Sequence, residues 1–326
     1  MAPPRLAAAI LTPVSFDSIR KTVGHIATQD IASSIELIIV VPDASRLALD
    51  SDAVSALHSV QVVEGDAGRE SGKARAAAVK AARAPIIVFT EDHCFPRPGW
   101  AAALLNAHKG AWAGVGPVVH NANPRNAITW ADLLMGYGPW LAPGKSGERE
   151  HLPGHNSSYK REALLALGDE LPVLMESETP LQWRLRAAGH RLYLESAAEV
   201  AHTNFDRWST WLRVAFHSGR TFAATRALEW TPLRRALFGL ASPLIPIVRY
   251  QRHVRQGVDA GFPLPRMLRV APTLAVGLLA DGVGQTMGML FGAGRSIEAM
   301  AGWEFNRNVR RPRGSTPPSR LPVPGE

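Results

Sequence analysis

The chain has 326 residues, 46% of them hydrophobic, enough for a large α/β domain with an appendage or for two modest domains, and too apolar for wholesale disorder. Its net charge of +8 is unevenly spread: residues 203–326 hold 17 arginines, no lysine and 7 acids, a net of +10, which leaves −2 for residues 1–202. A single cysteine, Cys94, excludes an internal disulfide and a cysteine-based zinc cage, and fits a reducing compartment.

The apolar stretch from Leu6 to Val14 is too short to cross a bilayer and reads as a first strand over 6–12, so the bulk of the chain is expected in the cytosol. Ser15 then caps a helix to about Gln29, with Ile19, Val23 and Ile26 at helical spacing. "IELIIVVPD" (35–43) is a continuous apolar run of the kind found in a parallel sheet covered on both faces. "VQVVEGD" (60–66) is a shorter strand, "SGKARAAAVKAAR" (71–83) an alanine-rich helix, and "APIIVFTEDH" the next strand. This alternation predicts a Rossmann-like α/β sheet, mostly parallel, with helices on both faces. A helix from Trp100 to about His108 leads to a strand, "WAGVGPVVH". Residues 121–153, rich in Gly, Pro, Asn and Trp, read as a long loop. "HNSSYKREALLALG" reads as a strand end and a helix. "ETPLQWRLRAAGH" reads as a helix with Thr179 as N-cap, Pro180 at its first position and Gly189 as its stop. "RLYLESAAEVAH" is a short strand ending at His202.

Taken together these blocks resemble family 2 glycosyltransferases. "SGKARAAAVKAARAPIIVFTEDHCFPRPGW" is similar to the family's helix and strand ending in D-x-D. "GHNSSYKREALLALG" is similar to its G-x-N-x-x-x-R-R-E block, and "ESETPLQWRLRAAGHRLYLESAAEVAH" to its E-D block closing on a histidine. The resemblance covers roughly residues 6–205 and implies a GT-A fold over 1–205. It implies an inverting transferase that moves a sugar from a nucleotide-sugar donor to a hydroxyl acceptor, a glycan or a lipid-linked one, with Mn²⁺ or Mg²⁺ at the diphosphate.

The D-x-D equivalent is Glu91-Asp92-His93, in which a histidine replaces the last acid. The resemblance gives Glu91 and Asp92 to the donor, and gives the metal to His93 and Glu91, with His202 beside them. Imidazole in this set favours Mn²⁺ over Mg²⁺. The family's E-D pair falls on Ser177-Glu178, which puts Glu178 at the base position with Glu176 as its rival. Pro13, Asp43, Lys73 and Arg75 are the remaining donor-side candidates, Lys73 and Arg75 because cations at a helix N-terminus suit a phosphate. His155, Asn156 and Trp140 are candidates on the acceptor side. Asn204 to Trp208 departs from the Q-x-x-R-W of processive synthases, so a non-processive enzyme is expected. Two other readings stay open. One is a catalytically degenerate, membrane-associated nucleotide-sugar binder. The other is a sugar-nucleotide nucleotidyltransferase, although "LTPVSFDSIRK" lacks the glycine-rich signature that chemistry needs.

Residues 206–306 form an Arg-rich extension with two apolar segments, 236–248 and 270–294, and 307–326 a Pro-rich basic tail expected to be disordered. The 270–294 segment is long enough to span a bilayer, but Pro272, Asp281 and its glycines argue against a true span. An anionic membrane surface at the cytoplasmic face is the expected partner. Nucleic acid is not, because 236–294 has too few aromatics for a stacking platform.

Overall fold

The computed structural model describes residues 2–12, 15–65, 68, 70–228 and 230–304; Pro13 and the tail from 307 lie outside them. In chain order the first elements are β1 (Leu6–Leu11), α1 (Phe16–Ala27), β2 (Ile35–Val41), β3 (Ser59–Glu64), α2 (Ser71–Ala81), β4 (Ile86–Thr90) and β5 (Cys94–Pro96). Next come α3 (Trp100–Ala107), β6 (Trp112–Asn121), α4 (Ala127–Tyr137), β7 (Gly147–Arg149), β8 (Ser158–Lys160), α5 (Arg161–Leu165) and α6 (Leu171–Leu174). The chain continues through α7 (Glu178–Ala187), β9 (Arg191–His202), α8 (Trp208–Arg226), α9 (Pro232–Ala241), α10 (Ile245–Asp259), α11 (Leu264–Phe291) and α12 (Ser296–Glu304).

The strands form one sheet in the order β3-β2-β1-β4-β8-β6-β9-β5, with β7 added on β9. The long ladders, β1 with β2 and β4, β2 with β3, and β6 with β9, are parallel. The short strand β8 runs antiparallel between β4 and β6. Every residue of β1, β2 and β4 is buried, which is why these strands read as unbroken apolar runs. β1 has β2 on one side and β4 on the other, so the strand order reverses there. In open α/β sheets such a reversal leaves a crevice at the carboxyl ends of the strands. Glu91-Asp92-His93 follows β4 at this point.

Three expectations need correction. Residues 121–153 are not one loop: α4 lies within them, started by Asn126, whose Oδ1 accepts from the Ile128 and Thr129 amides at 3.1 Å. Its buried residues, Ile128, Thr129, Ala131, Leu133, Leu134 and Tyr137, surround most of the helix, so no polar face supplies the periodicity that would mark it. α7 starts at Glu178 with Ser177 as the extended N-cap residue, one turn-half ahead of Thr179, because Pro180 needs no amide partner anywhere in the first turn. β9 is not short; its 12 residues make it the longest strand.

The buried hydroxyl of Thr22 on α1 fixes the turn after β4. Its Oγ1 lies 3.1, 3.0 and 3.2 Å from the carbonyl oxygens of Glu91, Asp92 and Cys94. The described chain falls into two compact units. One comprises the residues up to 206 with 251–274; the other comprises 207–250 with the residues from 275 on. In the second unit α8 and α11 touch backbone to backbone. A Cβ on Gly219, Gly284 or Gly288 would lie 2.2, 2.0 and 2.2 Å from the carbonyl oxygens of Asp281, Phe216 and Arg220. Asp281 is buried in this unit, paired with Arg249 and accepting from Gln285 at 2.6 Å.

Thr22→Val keeps the volume and removes the donor. Its expected cost is about 1–3 kcal/mol in urea unfolding, at unchanged m, because the carbonyls it serves are buried. An unchanged midpoint would show that the turn holds itself.

Candidate active site

The register of the sheet brings together residues far apart in sequence. His202, the last residue of β9, pairs with Cys94 of β5 and with Asn121 of β6, and the Thr203 amide donates to the His93 carbonyl at 2.9 Å. The His93 and His202 rings meet edge on, 4.9 Å apart at 71°. Glu91 Oε2 is 3.7 Å from His93 Nε2 and 3.6 Å from His202 Nε2, and ligand atoms of all three residues lie within 4.8 Å of one another.

Each ring is oriented through its other nitrogen. His93 Nδ1 is 2.6 Å from Asp92 Oδ1, and His202 Nδ1 is 3.0 Å from Asn204 Oδ1. With acceptors opposite both Nδ1 atoms, the favoured tautomer carries its proton there and turns the Nε2 lone pair toward Glu91. Glu91 Oε2 accepts from Asn156 Nδ2 at 3.0 Å and from the Tyr137 hydroxyl at 3.3 Å. The Tyr137 ring also lies 4.7 Å from that of His202. Two oriented imidazoles and one fixed carboxylate fit a divalent cation. Asp92 belongs to this group as the partner of His93.

A second cluster adjoins the first through the chain itself, since His155 precedes Asn156. Glu178, the first residue of α7, has Oε1 at 2.7 Å from His155 Nδ1 and 3.5 Å from Arg75 Nη1. Arg75 Nη2 lies 2.6 Å from the same His155 nitrogen, and its Nη1 donates to the Met175 carbonyl at 2.7 Å. Burial alone would raise the Glu178 pKa, but the charges of His155 and Arg75 outweigh it and hold the carboxyl at about 2. Burial likewise opposes the charged form of His155, and Glu178 overcomes it, moving the imidazole upward. Gly154 permits this packing, for a Cβ there would sit 2.9 Å from Glu178 Oε2.

The other candidates are placed elsewhere. Glu176 accepts from Ser71 Oγ and the Gly72 amide, both at 2.8 Å, and so closes the N-terminus of α2. Lys73 pairs on the surface with Glu70 at 2.5 Å. Asp43, exposed after β2, accepts from the amide and hydroxyl of Ser45, and the hydroxyl bond lowers its pKa. Trp140 donates its indole N–H to the His151 carbonyl at 2.9 Å. Sequence reading missed Tyr137, hidden in the supposed loop. It named Asn204 only as a departure from the Q-x-x-R-W pattern, and not as the partner of His202.

Residues 14–168 match the sequence profile of glycosyl transferase family 2. The pre-mycofactocin glycosyltransferase of Mycobacterium tuberculosis is 26% identical over 197 residues, which cover 56% of this chain and 41% of that protein. The match therefore spans well under half of the relative's length. The mannosyltransferase PcManGT from Pyrobaculum calidifontis, solved with GDP-Man and Mn²⁺, shares the fold at a TM-score of 0.52 and 16% identity, over 87% of this chain and 88% of that one.

Glu178 titrates at about 2 in the folded chain against 4.5 for its ordinary value. The ionised carboxylate therefore stabilises the fold above pH 4.5, and this contribution, roughly 3 kcal/mol, is lost as pH falls from 4.5 to 2. The raised His155 contributes below its ordinary 6.5 and loses that contribution as pH rises through its folded value. Urea midpoints of Glu178→Gln should accordingly vary less with pH on both sides than those of the wild type. Parallel curves would mean that the pair adds nothing to folding.

Proposed function

We infer that this chain, whose residues 14–168 match the profile of glycosyl transferase family 2, transfers a sugar, with inversion and one residue at a time, from a nucleotide-sugar donor to an acceptor hydroxyl. The observation that carries this reading is the adjacency of the two clusters: Asn156 holds Glu91, and His155 holds Glu178. Glu91, His93 and His202 would hold the divalent cation, which when bound absorbs charge developing on the diphosphate. Glu178, ionised at neutral pH, takes the acceptor proton while the acceptor oxygen bonds to the anomeric carbon. The bond from that carbon to the phosphate oxygen breaks, and the nucleoside diphosphate departs with the electron pair. Arg75, 3.5 Å from Glu178, supplies a cation beside the base.

One observation favours a variant of this scheme. The His155 side chain is 41% exposed and that of Glu178 only 16%, so His155 is the more accessible to an acceptor. In that case Glu178 orients the imidazole and stabilises its charged form. The pH profile separates the two. A Glu178 base gives a rate independent of pH from about 4 upward on this limb, whereas a His155 base gives a rate that rises above its raised pKa.

The first test is release of nucleoside diphosphate from UDP-, GDP- and TDP-sugars with Mn²⁺. Release should vanish with EDTA and fall roughly 10²–10⁴-fold in Glu178→Gln. His93→Ala should weaken Mn²⁺ binding measured by calorimetry. Donor binding without any release would leave only a nucleotide-sugar binder.

The second unit supports a place at an anionic membrane surface, and a glycan or lipid-linked acceptor there. Leu233, Leu237, Leu240, Leu244, Ile247 and Val248 are all exposed, Leu240 to 79%, at helical spacing along α9 and the start of α10. Val276, Leu279, Val283 and Leu290 form an exposed line on α11, itself long and apolar enough by length and composition to cross a membrane. The glycine seam with α8 and the buried Asp281–Arg249 pair favour a packed helix presenting one apolar face. Beside that face Arg234 stacks 4.2 Å over Trp230 and Arg226 5.4 Å over it. A second copy would bring the same positive charge, whereas anionic head groups neutralise it at about 1 kcal/mol per base. The chain should sediment with vesicles containing anionic lipid, less so at high salt, and Leu237→Glu with Leu240→Glu should abolish this. Equal binding to purely zwitterionic vesicles would contradict it.

A further inference from the structure

A cavity of about 180 Å³ opens in the first unit, walled by the end of β6, by α4 and by the turn between α10 and α11; His120, Asn121, Trp130, Leu141, Phe262 and Arg266 line it. Asn121 joins it to the active site. Its Oδ1 accepts from Asn204 Nδ2 at 3.1 Å, and Asn204 in turn orients His202. The cavity thus lies two hydrogen bonds from a ring of the metal cluster.

Its chemistry is uneven. Trp130 and Phe262 stand edge to face, 5.0 Å apart at 80°. The Arg266 guanidinium lies 4.3 Å over Trp130 and 5.2 Å from Phe262. A guanidinium lying on a ring keeps its N–H fork free in its own plane, the direction in which it binds a carboxylate or phosphate with two hydrogen bonds. Among the described residues no carboxylate pairs with Arg266, and no acid lines the cavity. The neighbouring Arg97 shows the contrast, for Glu199 meets it at 3.0 Å and meets His120 at 2.9 Å. The cation at the rim is matched, and the one held by the aromatics is not.

We propose that this cavity receives the acceptor, and that the acceptor carries an oxyanion, a carboxylate or a phosphate, beside a ring with an apolar face. The ring packs against Trp130 and Phe262, and Arg266 takes the oxyanion. At about 180 Å³ the cavity is smaller than the roughly 300–1,000 Å³ of a site for a whole drug-sized ligand, so it holds one ring of a larger molecule. The role as acceptor site rests on the transfer proposed above; the binding of an anionic ring does not.

The test uses the full chain and three probes: methyl glucuronide, glucose 6-phosphate and the neutral methyl glucoside, followed by calorimetry and saturation-transfer NMR. At least one anionic probe should bind roughly tenfold or more tightly than the neutral one, and which anion wins identifies the oxyanion. Arg266→Gln should erase this preference, and Arg266→Lys should restore part of it. Three results would overturn the proposal: equal binding of all three probes, a stably folded Arg266→Gln that binds the anions as the wild type does, or displacement of the probes by a nucleoside diphosphate without metal. If Arg266→Gln melts early, the wild-type ranking of the probes decides alone. Probe binding without nucleoside diphosphate release from any donor refutes the transfer and leaves the cavity's ligand standing. Release without probe binding refutes the cavity alone.

Discussion

Two neighbouring residues ahead of β8 tie the active site together. Asn156 donates to Glu91, and His155 meets Glu178, so one peptide sets the positions of both carboxylates. The constraint is tight because this segment is wedged. The Phe89 amide donates to the Ser157 carbonyl at 3.2 Å, and β8 is paired on both sides, with β4 and with β6. An inverted strand between parallel ones therefore has a consequence beyond topology. It delivers side chains to the carboxyl ends of strands that run the other way, where the crevice lies.

Around this peptide the side chains act by orienting one another. Asp92 and Asn204 turn the two imidazoles, while Asn156 and Tyr137 fix the carboxylate. Ion binding by imidazole depends on such partners, because the ring nitrogen that faces the ion must be free of its proton. His93 comes with its own acceptor one residue earlier, and His202 faces it from β9.

The Arg-rich extension needs a different physical account. Asp281 is buried and satisfied by Arg249 and Gln285, while a row of large aliphatic side chains, Leu233, Leu237, Leu240 and Leu244 among them, points out. That inversion is uneconomical in water, where exposed apolar patches of this extent are uncommon without a partner.

Much of this was legible in the sequence. Continuous apolar runs announced the covered parallel strands, and three ordered blocks carried the resemblance and pointed to Glu91, His93, His202 and Glu178, which the fold brings into two adjoining clusters. These signals are local: each is a run or a spacing on one element. Tyr137 left no such signal, because α4 is buried on most sides and has no polar face to beat against. The resemblance put Glu178 at the base position with Glu176, two residues earlier, as its rival; the tertiary structure sends Glu176 to the N-terminus of α2 and Glu178 to His155. Lys73 and Arg75 were both donor-side candidates, and only Arg75 faces inward. The sequence by itself determined which chemistry the chain has the residues for. Only the register of β4, β5, β6, β8 and β9 decided which of those residues meet, because contacts between side chains a hundred positions apart are properties of the packed sheet and not of any one segment.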